Sequence, residues 1–184
     1  NRIKMNLGGI MSKEHFSLLV KTLELEEKLA NENFTNFSLD NIEKDNKNKM
    51  WTFNFSGKGL PSSEEFALFI QKLRESFQGE YLVKYCLNIE KKVSIEEIKE
   101  YWKFVILENF SELAPVLLES ILFSKIDVKD NILSLNIMAP SIWNNFINEK
   151  KSQILGSYAN LGITLKDIRP IFSKTDVDAV LENQ

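Results

Sequence analysis

The sequence predicts an α+β protein of two small lobes, each a three-stranded, mainly antiparallel sheet packed with helices. Trp51, Phe53 and Phe55 alternate along one short segment, which places three rings on one face of a strand and Thr52 and Asn54 on the other. An amphipathic pattern follows that strand, so a helix covers the aromatic face. The order helix, hairpin, helix, strand then occurs once on each side of Val93. Two small sheets fit that order better than one large sheet.

In the first lobe, Ser12 is placed to cap a helix carrying Phe16, Leu19, Val20 and Leu23 at helical spacing. Phe34 to Asn41 reads as a strand, and Asp45-Asn46-Lys47-Asn48 as the polar turn into the aromatic strand. Gly57, Gly59 and Pro61 end the hairpin. Ser62 or Ser63 then caps a helix with Glu64 and Glu65 in its first turn, where the helix dipole favours acids. Phe66, Phe69, Ile70, Leu73 and Phe77 are its apolar stripe, and Gly79 ends it. Tyr81 to Ile89 is the third strand.

In the second lobe, Ser94 and Glu97 have the spacing of a capping box ahead of a helix buried through Ile98, Tyr101, Trp102, Val105 and Ile106. A short helix runs from Ser111 to about Phe123, with Pro115 near its start. Ser124 to Val128 and Ile132 to Met138 form a hairpin about the turn Lys129-Asp130-Asn131. Pro140 opens a long helix that points Ile142, Trp143, Phe146, Ile147, Ile154, Leu155 and Tyr158 inward and ends at Gly162. The last strand lies within Ile163 to Phe172, interrupted by Pro170. The domains are thus read as 11–92 and 93–172. Residues 1–10 are an extension that need not belong to the natural chain, and 173–184 are a polar tail.

At 184 residues and a net charge of −3, the chain has no global attraction for nucleic acid. Up to Val93 it carries 14 basic and 13 acidic residues, and after it 9 and 13, so neither half is a basic module. One cysteine excludes an intrachain disulfide and makes a cytoplasmic setting the expectation. No apolar run approaches the roughly 20 residues of a membrane helix.

Catalytic equipment is not visible. His15 is the single histidine, and its neighbours Lys13 and Glu14 place it on an exposed helix start. Cys86, between Tyr85 and Leu87, reads as a buried, inert thiol. No cysteine pair, two-histidine motif or calcium loop is present, and Gly57-Lys58-Gly59 lacks the spacing of a nucleotide cradle. The expectation is a chain with no catalytic residues, metal, cofactor or small-molecule substrate of its own. Lys44, Lys47 and Lys49 flank the first hairpin turn and Lys58 lies on the following loop, making these four the candidate contacts to a nucleic-acid backbone. Glu43 and Asp45 dilute the cluster. The second half orders its elements as a type II KH domain does. KH domains clamp backbone with a Gly-x-x-Gly loop. No such loop occurs in this chain, so the second lobe is read as KH-like without the usual binding surface.

Several segments resemble, in wording and order, the N-terminal region of the PolC-type DNA polymerase III α subunit of low-GC Gram-positive bacteria. They are Lys49-Met50-Trp51-Thr52-Phe53-Asn54-Phe55, then Leu60-Pro61 and Phe66, then Glu100-Tyr101-Trp102. Asn131-Ile132-Leu133-Ser134-Leu135 and the run from Tyr158 to Ile163 also fit, so the resemblance covers roughly Met11 to Phe172. It implies two small domains ahead of an OB-fold, a proofreading exonuclease, a PHP module and the polymerase. The first is similar to the C-terminal domain of the clamp-loader τ subunit, and the second is KH-like. The catalytic carboxylates of that family belong to modules outside this chain, so no catalytic residue is carried over. The resemblance implies a noncatalytic docking module in DNA replication, contacting another replisome protein, with τ the first candidate. Phe34 and Phe37, on a strand facing away from the helices, are the candidate docking surface. The rival expectation is an accessory domain that holds single-stranded DNA or template through Lys44, Lys47, Lys49 and Lys58.

Overall fold

Period-two alternation governs the centre of the first sheet in the computed structural model, which describes residues 2–6, 11–137 and 139–172. Residues 7–10 and the expected tail 173–184 lie outside the described residues. The chain divides into two compact units, Asn1–Val93 with Asn160–Gly162, and Ser94–Ala159 with Ile163–Gln184.

The first unit contains β1 (Arg2–Asn6), α1 (Met11–Thr22), α2 (Glu32–Thr35), β2 (Ser38–Asp45), β3 (Met50–Gly57), α3 (Ser63–Ser76) and β4 (Leu82–Ile89). Its sheet has the order β1-β2-β3-β4. The three expected strands are there, and Arg2–Asn6 adds a fourth, antiparallel to β2. β2 and β3 form the antiparallel hairpin, and α3 crosses over so that β4 runs parallel to β3. Ser62 caps α3, its side chain accepting from the Glu65 N–H.

Phe53, Phe55, Val83, Tyr85 and Leu87 point to the covered face of the sheet and are buried. Phe16 of α1 and Phe69 of α3 meet the Phe55 ring edge-on, at 5.9 and 5.6 Å. The opposite face is polar and open, with Thr52, Asn54 and Ser56 of β3 in register with Lys84, Cys86 and Asn88 of β4. Cys86 is therefore exposed, correcting the expected buried thiol: alternation along β4 gives the inward places to its neighbours Tyr85 and Leu87. Partial burial pushes its thiol above the ordinary range, and Glu43 adds to the shift.

The expected strand Phe34 to Asn41 is also corrected. Glu32–Thr35 is a helical turn capped by Asn31, whose side chain accepts from the Asn33 N–H, and β2 starts at Ser38. Phe34 and Phe37 stand three residues apart, so one helical turn directs both inward. The partial alternation reported only the start of β2.

The second unit contains α4 (Ile95–Glu100), α5 (Trp102–Phe110), α6 (Pro115–Leu122), β5 (Lys125–Lys129), β6 (Ile132–Ile137), α7 (Pro140–Ile142), α8 (Lys151–Asn160) and β7 (Asp167–Phe172). Its sheet has the order β5-β6-β7, with β5 antiparallel and β7 parallel to β6. The capping box of Ser94 and Glu97 forms as the spacing predicts. The helix after it is divided at Tyr101, which caps both α4 and α5. The long helix after Pro140 is likewise interrupted, by a π turn at Trp143–Ile147 and a 3-10 turn at Asn148–Lys150. Those turns shift the phase so that Trp143, Ile147, Ile154 and Tyr158 all reach the core. Tyr158 donates its hydroxyl to the Ile98 carbonyl at 3.1 Å, and burial pushes its phenol above the ordinary range. Pro170 fits β7 because that strand is the sheet's edge.

Candidate interaction site

Alpha-helix α1 ends in a left-handed residue, Glu24, at φ 58°. The Glu24 N–H reaches the Lys21 carbonyl and the Leu25 N–H reaches Val20, the pairing of a Schellman cap. Leu25 is wholly buried and anchors the chain as it turns away. The next stretch is tied to α3 by Glu65, whose carboxylate accepts the N–H groups of Ala30 and Asn31. Asn33 Nδ2 donates to the Leu60 carbonyl at 2.8 Å. These ties hold α2 beside α1 and leave a groove of about 270 Å³ between them.

Phe16, Val20, Leu29, Phe34 and Phe37 supply its apolar lining, while Lys13 and Glu26 contribute charge. Phe34 and Phe37, the expected docking residues, thus line a groove but are not exposed side chains: they retain 5% and 1% of their accessible surface. Their rings pack on Phe16 at 6.3 and 5.4 Å. They belong to the aromatic core and show one side to the groove.

The structure separates the four candidate lysines. Lys47 and Lys49 are exposed on the β2–β3 turn, and Lys44 is half-buried beside it. Lys44 Nζ lies 5.1 Å from the Trp51 ring centre and 6.0 Å from that of Tyr81. Asp45 shapes the turn, its carboxylate accepting from the N–H groups of Lys47 and Asn48 and from the Asn48 side chain. The hydrogen bonds from Asn48, above all, hold Asp45 below its ordinary carboxylate range. Lys58 follows the far end of β3, about 25–30 Å from Lys49 at the rise of an extended strand. It meets Lys91 instead, whose N–H bonds to the Lys58 carbonyl at 2.9 Å.

Sequence reasoning missed both the groove and the aromatic neighbours of the lysine turn. Half of the second was available, because a tight turn places Lys44 opposite Trp51. The approach of Phe77 and Tyr81 depends on where α3 ends. Among the described residues no group of three or more histidine, cysteine, aspartate or glutamate side chains is placed to hold a metal. No described helix is long and apolar enough to cross a membrane.

Residues 15–85 match the family described as DNA polymerase III polC-type N-terminus I. The chain is also 26% identical over 91 residues to the DNA polymerase III PolC-type of Bacillus cereus, an alignment covering 49% of this chain and 6% of that protein. The groove and the lysine turn both fall largely within the matched segment. Residues 15–85 are thus similar to the N-terminus I domain of PolC-type DNA polymerase III, and the chain spans only a small part of the length of the relative it matches.

Proposed function

We propose that this chain is a noncatalytic docking module of a PolC-type replicative polymerase, acting in the cytoplasm and needing no cofactor of its own. Its groove between α1 and α2 receives an apolar segment of another replisome protein, the clamp-loader τ subunit being the first candidate. One observation carries the reading. Lying in the family-matched segment but for Lys13, the groove combines an apolar lining with that lysine and Glu26, the mixture that suits a protein segment with one greasy face. A groove lined by Phe16, Phe34 and Phe37 has little to offer a phosphate backbone.

The test is a titration of the chain with purified τ at about 50 and about 200 mM salt, a range over which phosphate contacts weaken steeply. Binding that persists across that range supports the reading. Ser17→Arg carries a bulky charge into the groove from an exposed position, so the fold is kept while τ affinity falls at least about tenfold. Absence of τ binding, or S17R binding as well as the unaltered chain, would overturn the proposal.

A further inference from the structure

At the end of β3 opposite Gly57, Trp51 is half-exposed. Phe77 and Tyr81 meet its ring edge-on, with centres 5.0 and 6.1 Å away. Lys44 stands opposite Trp51 in the strand register and lies over it, and the adjoining turn adds the exposed Lys47 and Lys49. Asp45 directs its carboxylate into the turn, and Glu43 pairs with Thr52 on the other face of the sheet. Glu80 is the exposed acid next to Tyr81 in the chain.

The indole N–H of Trp51 is buried without a hydrogen-bond acceptor. A phenylalanine would fill that place without leaving a donor unmet, so packing alone does not account for a tryptophan here. Its larger π face holds the Lys44 ammonium, with the Tyr81 ring edge-on beside it.

We propose that this end of the first sheet is a second binding surface, independent of the groove, and that it takes single-stranded DNA. Lys44, Lys47 and Lys49 meet successive phosphates while a base stacks on the half-exposed Tyr81 ring, which stands edge-on to Trp51. A single strand fits better than a duplex because its bases are free to leave their own stack. Lys58, at the far end of β3, has no part in it.

The experiment measures fluorescence anisotropy of a labelled oligothymidine of about 15 nucleotides, enough to fill one small binding site, titrated with the whole chain. Three phosphate contacts to a single strand predict a log–log salt slope of about −2. Lys47→Gln with Lys49→Asn removes two charges on an exposed turn, and asparagine tolerates the left-handed backbone at position 49, where φ is 49°. That double variant weakens binding about tenfold or more and brings the slope toward −0.7, the value for one remaining contact. Tyr81→Leu weakens binding while leaving the salt slope unchanged. Lys58→Gln binds as the unaltered chain does. The proposal is overturned by no binding at low salt, by equal loss in Lys58→Gln, or by equal affinity for a duplex of the same length.

Discussion

Gly57 shows how one atom governs the groove. A Cβ added there would stand 2.6 Å from Cδ1 and 2.7 Å from Cε1 of Phe37. Phe37 cannot yield freely, since its ring is packed on Phe16, Phe34 and Phe55. Gly57→Ala therefore destabilises the first unit by about 1–3 kcal/mol through overpacking. A urea midpoint lower than that of the unaltered chain, by an amount in that range, is the expected result; an unchanged midpoint would mean that Phe37 repacks without cost. The same substitution perturbs the groove lining, because Phe37 is part of it.

The elements of the second unit are joined by polar contacts as well as by apolar packing. Lys151 at the start of α8 pairs with Asp167 at the start of β7, and Arg169 bonds the same carboxylate. The Lys151 hydrogen bond is the main reason that Asp167 is held down to about 2 from its ordinary 3.8. With the folded pKa depressed, the folded state favours the ionised form. The resulting stabilisation is complete above about pH 4 and is lost as pH falls toward about 2. Lys151→Met removes the principal cause. Its urea midpoint falls less steeply than that of the unaltered chain between about pH 4 and pH 2, and parallel curves would show that the pair contributes nothing. The β5–β6 turn is a second element-level device. Asp130 and Asn131 both have positive φ, at 53° and 62°, as a two-residue type I′ turn requires, and these residue types tolerate it best after glycine.

For the whole molecule, two cores follow from two ββαβ units, each a hairpin, a helical crossover and a parallel third strand. Phe55, Phe66, Phe69 and Leu73 fill the first, and Tyr101, Ile106, Leu133 and Ile154 the second. Units with separate cores unfold on their own terms. Leu133→Ala opens a cavity in the second unit, costing about 2–5 kcal/mol. Hydrogen exchange read by mass spectrometry should then show faster exchange in β5, β6 and α8, with protection in β3 and α3 retained. Parallel loss in both sets of elements would mean that the two cores form one cooperative structure.

Much of this organisation is written in local patterns. The aromatic strand, the Ser62 and Ser94 caps, the α3 stripe and both hairpin turns rest on residues within a few positions of one another, and such signals survive in a sequence read alone. Two readings failed and a third was incomplete. At Phe34 and Phe37, helical spacing and a partial alternation competed, and the Asn31 cap decided for a helical turn. At Cys86 the residue type suggested burial, but strand phase was set by Tyr85 and Leu87. After Pro140, a π turn inserted phase that no regular helix pattern contains.

The sequence by itself determined the α+β class, two ββαβ units, their main caps and turns, and the resemblance to a PolC N-terminal region. Tertiary structure alone decided that Phe34 and Phe37 line a groove, that Lys58 is parted from Lys44, Lys47 and Lys49, and that Phe77 and Tyr81 join Trp51 beside those lysines. The division has a physical basis. Periodicity and capping are set by neighbours along the chain, whereas a binding surface is assembled from residues that only sheet pairing and helix packing bring together.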